Sequence, residues 1–184
     1  MLTDNRAINT SRGVRNNNPM NLVKGVKFLY QIENPNEKRF MTFAKTWQGI
    51  RAGVLDITTD ISKGKNTLNI LMNEYAPKFE NDTTAYINTL AKKLNIGAND
   101  ILNRKDENFM FNLVKNIIAV ENGNDALKFI TDEDIKTGIN AAFIYRGYKV
   151  TQKPKNEPKT KENGLISVIV GVGLVLFLAK LLIK

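Results

Sequence analysis

The sequence predicts a mainly helical domain that contains one small β-hairpin and is followed by a single C-terminal transmembrane helix. Three observations lead to this class. Apolar residues recur at helical spacing through most of residues 1–148, one segment is rich in Val, Phe, Tyr and Thr, and a long apolar run closes the 184-residue chain. We therefore divide the chain into a folded body at 1–148, a tether at 149–163 and a membrane helix at 164–184.

The body begins with an irregular loop and a hairpin. The stretch "RGVRNNNPMNL", at 12–22, holds four Asn and a Pro, which favour turns over helix or strand. Next come "NLVKGVKFLYQ" and "KRFMTFAKT", two β-type segments separated by the turn-forming "ENPNE". The pattern predicts a hairpin between Leu22 and Thr46.

Five helices are predicted after the hairpin. In the first, Ile50, Val54, Ile57 and Ile61 are spaced as one helical face, and Gly64 ends it. The other four predicted segments are "NTLNILMNEYAP", "NDTTAYINTLAKKLNIG", "DENFMFNLVKNIIAV" and "DEDIKTGINAAFIYRGY".

The end of the chain predicts a tether and an anchor. Residues 149–163 are rich in Lys, Pro, Asn and Glu without apolar periodicity, which is typical of a solvated linker. The following run, "LISVIVGVGLVLFLAKLLI", has nineteen residues, and a helix of that length spans about 28 Å, close to the ~30 Å bilayer core. The tether lysines would favour anionic lipid beside that helix.

Composition excludes several kinds of chemistry. The chain has no Cys and no His, so disulfides, thiolate metal sites and every Ser-His or Cys-His triad are absent. Acid–base chemistry near neutral pH must then come from Asp, Glu, Lys or Tyr. We expect no metal and no cofactor.

Glu121 interrupts an apolar stripe. It follows Ile117 by four residues and Ile118 by three, which places it on the buried side at the end of a helix. Loss of solvation there favours a neutral carboxylic acid, the group that protonates a glycosidic oxygen. The alternative is a side chain that turns outward as the helix frays at "NG".

Other polar and aromatic groups are candidates for ligand contact. Amide side chains suit sugar hydroxyls and N-acetyl groups, but they also cap their own loop. Glu80 and Asp82 precede a predicted helix, where capping is the simpler role. Aromatic faces stack on sugar rings, although core packing is commoner. The candidate amides are Asn16, Asn17, Asn18 and Asn21, and the candidate aromatics are Phe40, Phe43 and Trp47.

Four spaced motifs resemble a family of phage lysozyme-like virion structural proteins. They are "RGVRNNNPMNL", "FMTFAKTWQGIRAG", "YAPKFENDTTAYINTLAKKLNI" and "IIAVENG", and they span about residues 12–140. Met20 departs from the family pattern, which has Gly there. If that Gly has a positive φ, the loop of this chain must be adjusted to accommodate Met. The segments are also similar to bacterial glucosaminidases and lytic transglycosylases.

The resemblance implies a lysozyme-like fold, and the order of its motifs leads us to hypothesise a circular permutation. It implies that Glu121 is the catalytic acid and that Asn81 and Tyr86 contact substrate or orient that acid. A transglycosylase needs one carboxylate, whereas hydrolysis would recruit a second from Glu80, Glu33 or Asp82.

The expected function is that of a membrane-anchored phage enzyme in the virion or host membrane. It would cleave the β-1,4 bond between N-acetylmuramic acid and N-acetylglucosamine in peptidoglycan, for genome entry or lysis. Peptidoglycan, lipid and other virion proteins are the expected partners. The rival class is an inactive lysozyme-like scaffold or wall-binding module. A nucleic-acid partner is not expected, because the body shows no aromatic-basic face or helix-turn-helix signature.

Overall fold

A computed structural model describes residues 10–75 and 83–151 of the chain, and these residues form a mainly helical fold, as predicted. A two-stranded sheet accompanies the helices. In chain order the elements are α1 (Arg12–Arg15), β1 (Gln31–Ile32), β2 (Thr42–Phe43), α2 (Thr46–Ser62), α3 (Leu68–Tyr75), α4 (Thr83–Leu94), α5 (Glu107–Asn122), a 3-10 turn (Asn124–Lys128) and α6 (Asp132–Tyr145).

The long helices begin and end where the sequence supplies caps. The Asp106 side chain accepts a hydrogen bond of 2.9 Å from the Phe109 amide and so satisfies a free donor at the start of α5. Thr131 and Asp134 cap α6 reciprocally, each side chain accepting from the other residue's amide at 3.1 Å. Helix α5 ends at Gly123, whose φ of 79° is readily reached without a side chain.

Helix α1 corrects the prediction that the whole Asn-rich segment is irregular. Ser11 accepts a hydrogen bond from the Val14 amide, and the Asn16 amide donates 3.0 Å to the Arg12 carbonyl oxygen, which closes one helical turn. The Asn-rich remainder stays irregular because Asn17 adopts a φ of 51° and Asn21 a φ of 53°. Met20 is not among the residues with positive φ, whereas its neighbour Asn21 is.

The predicted hairpin is present but short. Gln31 pairs with Phe43 and Ile32 with Thr42 in an antiparallel ladder, and a separate bridge joins Val23 to Phe40. Tyr30 lies immediately before β1 with a φ of 71°, outside the extended region, and so limits β1 at its start.

Helix α2 lies at the centre of the core. Gly138 lets α6 approach it closely, since an added Cβ would lie 2.6 Å from the Ile50 side chain. Gly53 similarly accommodates the fully buried Met20 of the Asn-rich loop. The two predicted stripes are buried. They consist of Ile50, Val54, Ile57 and Ile61 on α2 and Met110, Leu113, Val114, Ile117 and Ile118 on α5.

The body continues past residue 148, its predicted end. Val150 packs against the core, and Thr151 donates hydrogen bonds of 2.8 Å from its amide and 2.6 Å from its hydroxyl to Glu107. Among the described residues, none of the helices combines the length and apolar character needed to cross a membrane. The predicted transmembrane helix and most of the predicted tether lie outside the described residues.

Candidate active site

A cleft of about 630 Å³ lies between the Asn-rich loop, the hairpin and helices α2, α3 and α5. Polar and charged side chains form much of its wall. The lining residues are Met20, Asn21, Leu22, Val23, Arg39, Phe40, Asp56, Asp60, Lys63, Lys65, Glu74, Tyr75 and Glu121.

Glu121 lies half-buried in this cleft, in the last turn of α5. The Asn21 side-chain amide donates to Glu121 Oε2 at 2.9 Å, and the Tyr86 hydroxyl donates to Oε1 at 3.1 Å. The helix remains intact through Asn122, so the carboxyl group does not turn outward with a frayed end. Each carboxyl oxygen is therefore positioned by a neutral donor.

The adjacent Asn122 joins α5 to the loop that carries Asn21. Its side-chain amide donates 2.7 Å to the Pro19 carbonyl oxygen, and its Oδ1 accepts 2.8 Å from the Ser11 hydroxyl. Gly13 permits this contact, because an added Cβ would lie 2.1 Å from Asn122 Oδ1. Our sequence reasoning did not assign Asn122 a role, although its place in the "ENG" motif could have indicated one.

Two tyrosines supply the rest of the environment of Glu121. Tyr86, on α4, is 5% exposed, and burial raises its pKa, with Tyr75 and the Glu121 charge adding to the effect. Burial also raises the pKa of Tyr75 well above its ordinary value, and the charges of Glu121 and Asp56 act in the same direction. The Tyr75 hydroxyl donates to the Met20 carbonyl oxygen. Both phenols are thus protonated donors at neutral pH.

The first three asparagines of the loop point into the protein. Asn18 donates to the carbonyl oxygens of Leu22 and Met41, at 2.9 and 3.0 Å, and accepts from the Leu22 amide at 3.0 Å. Asn17 donates to the Phe43 carbonyl oxygen, and Asn16 donates to Glu37. None of these three is more than 7% exposed, which argues against the predicted direct contact with substrate. They join the loop to the hairpin and hold Asn21 beside Glu121.

Three further carboxylates in the cleft were missed. Burial, followed by repulsion from Asp60, raises the pKa of Asp56 on α2. Lys65 bridges Asp60, at 3.1 Å, and Glu74. Asp56 and Asp60 are four residues apart on one helix, a repulsive spacing that could have marked them in the sequence.

Among the remaining candidates within the described residues, Glu33 does not line the cleft. Glu33 is exposed on the hairpin, whereas Glu80, Asn81 and Asp82 lie outside the described residues. Over the described part of the chain there is no group of three or more Asp or Glu side chains arranged to hold a metal ion.

The three candidate aromatics have different surroundings. Phe40 lines the cleft, with the guanidinium groups of Arg12 and Arg39 at 4.9 and 5.1 Å from its ring centre. Phe43 is 1% exposed and belongs to the core. Trp47 is half-buried outside this cleft, and its ring packs edge-on against Tyr30 at 5.4 Å. Phe40 is therefore the aromatic placed to meet a ligand.

Comparison with known proteins identifies a phage relative. No model of a protein family matches the chain. Over 138 residues it is 34% identical to Protein P5 of Pseudoalteromonas phage PM2, and the alignment covers 72% of this chain and 82% of that protein. At this identity and coverage, the chain belongs to the same family as Protein P5 of phage PM2.

Proposed function

We propose that this chain is a membrane-anchored phage enzyme of lysozyme-like fold that degrades peptidoglycan. It cleaves the β-1,4 bond between N-acetylmuramic acid and N-acetylglucosamine, with Glu121 as the acid. The observation that carries the proposal is the pair of hydrogen bonds that Asn21 and Tyr86 donate to Glu121 inside an open cleft. The relative supports a phage protein, and the resemblance of the four motifs supports the peptidoglycan-cleaving activity.

The cleft has suitable dimensions for part of a glycan strand. Ligand sites in proteins occupy roughly 300–1,000 Å³, and this cleft is about 630 Å³. Phe40 offers an aromatic face, and Arg39 a positive charge for the lactyl carboxylate of muramic acid or a stem peptide. These two groups would contact a muramic acid unit of the proposed polysaccharide.

In the proposed reaction, Glu121 transfers its proton to the bridging glycosidic oxygen as the bond from C1 to that oxygen breaks. The resulting carboxylate accepts hydrogen bonds from Asn21 and Tyr86, and such bonds stabilise the charged form. In a transglycosylase, the carboxylate then takes the proton of the muramic 6-hydroxyl as that oxygen bonds to C1. Hydrolysis would instead add water at C1, with a second carboxylate as base or nucleophile.

The circular permutation is part of the proposal. Lytic transglycosylases place the Asn-containing segment and hairpin after the catalytic helix, whereas this chain places them before it. The contacts of Asn21 with Glu121 and of Asn122 with Pro19 support an equivalent arrangement in space. The proposed membrane anchor is inferred from the apolar run at 165–183. The expected location of the chain is the virion or host membrane.

Product analysis tests the proposal. The full chain, in detergent, is incubated with purified peptidoglycan, and soluble products are analysed by mass spectrometry. Muropeptides with anhydro-muramic ends would identify a transglycosylase, and reducing muramic ends a hydrolase. Binding to the wall without any released fragment would contradict the proposal and support the scaffold alternative.

A further inference from the structure

The segment at residues 23–30 immediately precedes β1 and is here called the hairpin loop. It exposes large apolar side chains to solvent. Val26 is 72% exposed, Leu29 61%, Val23 50% and Tyr30 37%. These are four of the ten large apolar residues exposed within residues 10–75 and 83–151, although the loop has eight residues. Single exposed apolar residues are ordinary, but a cluster of this kind marks an interaction surface.

The hairpin loop is fixed to the body at its base. The side chain of Phe28 packs against the core, and the Lys24 amide donates 2.9 Å to the Arg39 carbonyl oxygen. The Met41 amide donates 2.9 Å to the Leu22 carbonyl oxygen just before the loop. Val26 and Leu29 are therefore presented outward by an anchored segment.

Positive charge accompanies these apolar residues. The loop contains Lys24 and Lys27 and no acidic residue. Lys38 and Arg39 belong to the neighbouring segment, whose Arg39 carbonyl oxygen accepts from the Lys24 amide. The Lys24 ammonium donates to the carbonyl oxygen of Glu37, so this contact leaves its charge uncompensated. The Glu37 carboxylate instead accepts hydrogen bonds from the Asn16 side chain and from the Arg39 and Phe40 amides.

We propose that the hairpin loop inserts Val26 and Leu29 into the interfacial region of a membrane that contains anionic lipid. Apolar side chains flanked by lysines suit this boundary, because the apolar groups enter the acyl region while the ammonium groups reach the phosphates. A protein partner fits less well, since the centres of protein–protein interfaces are depleted in lysine. This contact is separate from the predicted C-terminal anchor and does not depend on the proposed catalytic activity.

Fluorescence labelling tests the insertion, because the chain has no Cys and one introduced thiol labels uniquely. The full chain carrying Val26→Cys is coupled to bimane and reconstituted into vesicles of phosphatidylcholine alone or mixed with phosphatidylglycerol. Lipids bearing a nitroxide in the acyl chain quench only a bimane that reaches them. Asn99→Cys, at an exposed turn between α4 and α5, is the matched control.

The expected result is strong quenching at Val26 with phosphatidylglycerol, weaker quenching without it, and little at Asn99. Lys27→Gln should lower the equilibrium constant for insertion about fivefold, the effect of one lysine near an anionic surface. Equal quenching at the two positions, or none at Val26 with phosphatidylglycerol, would overturn the proposal. So would a Val26 bimane that responds to added peptidoglycan but not to lipid, because that result assigns the loop to the wall.

Discussion

The Glu121 carboxyl group receives one hydrogen bond on each oxygen, and the two donors differ in how they reach it. Asn21 comes from a loop one hundred residues earlier, whereas Tyr86 projects from the buried face of α4. Both donors are neutral, so they orient the group through hydrogen bonds and not through an ion pair. The proton transfer proposed for Glu121 depends on this arrangement.

Tyr86→Phe removes one donor while preserving the ring. A hydrogen bond to a charged group contributes about 1.5–3 kcal/mol, so we expect kcat/KM on peptidoglycan to fall by about 10- to 100-fold. Initial rates of glycan solubilisation measure the change. Tyr145→Phe is the matched control, because that tyrosine is 59% exposed on α6. Equal rates for Tyr86→Phe and the wild type would show that the Tyr86 hydroxyl does not support the reaction.

Asn18→Ala is expected to destabilise the fold. The substitution removes three hydrogen bonds from a fully buried side chain and leaves the polar backbone groups of Leu22 and Met41 without these partners. At roughly 1 kcal/mol for each bond, the free energy of unfolding should fall by about 3 kcal/mol. Denaturant titration measures it. Asn112→Ala, at an exposed position of α5, should change it by less than about 0.5 kcal/mol, and a similar loss in both variants would refute the structural role of Asn18.

At this scale the sequence predicted the position of Glu121 better than the roles of the asparagines. The spacing from Ile117 and Ile118 was sufficient to place Glu121 on the inner face of its helix. Whether a loop amide points outward or inward depends on which backbone groups lie near it, and composition carries no such information. The spacing of Asp56 and Asp60 could have marked the pair, but the place of Asp56 in the cleft depends on the packing of α2 beside α3 and the loop.

Among the elements, the close contact between α2 and α6 has an exact steric requirement at Gly138. An added Cβ would lie 2.6 Å from Ile50 Cγ2 and 2.8 Å from the Trp47 carbonyl oxygen, which belongs to the backbone and cannot rotate away. Alanine improves helix propensity by about 1 kcal/mol, but overpacking against the backbone costs more.

Gly138→Ala should therefore lower the free energy of unfolding by about 2 kcal/mol in chemical denaturation. The control is Gly25→Ala in the hairpin loop, where an added Cβ meets nothing within 4 Å. That control should stay within about 0.5 kcal/mol of the wild type. A Gly138→Ala variant as stable as the wild type would mean that the two helices can separate without penalty.

The sequence predicted the long helices well, because their caps and apolar spacing are local properties. Helix α1 was missed, because one turn is too short to show periodicity. It also depends on the distant Asn122, which accepts from Ser11 and lies against Gly13. The hairpin was predicted as an element but not in its length. A local pattern identifies strand-forming residues, while the number that pair depends on where the backbone turns, as at Tyr30.

Across the whole molecule, two carboxyl groups should make opposite contributions to the dependence of stability on pH. Burial and Asp60 raise the pKa of Asp56 in the fold, so its ionised form destabilises the protein once the pH exceeds the unfolded value of about 3.9. The hydrogen bond from Asn16 is the main cause that lowers the pKa of Glu37. Its ionised form therefore stabilises the fold above the unfolded value of about 4.3.

Asp56→Asn should accordingly be more stable than the wild type at pH 7. The gain should diminish as the pH falls through the raised pKa of Asp56 and be lost near the unfolded value of about 3.9. Glu37→Gln should be less stable at pH 7, and that deficit should diminish as the pH falls through the lowered pKa of Glu37. Denaturant titrations between acidic and neutral pH measure both. Parallel pH profiles for the two variants would contradict the assigned environments.

The central claim is that Glu121 acts as the acid of a glycan-cleaving site, and Glu121→Gln tests it most directly. Glutamine retains the size and can accept from one donor, but it cannot supply the proton. Purified wild-type and variant chains, matched for folding by circular dichroism, are compared in the release of soluble fragments from peptidoglycan. We predict an active wild type and a loss of at least about 10²-fold in the variant. An active wild type with an equally active Glu121→Gln variant would contradict the account.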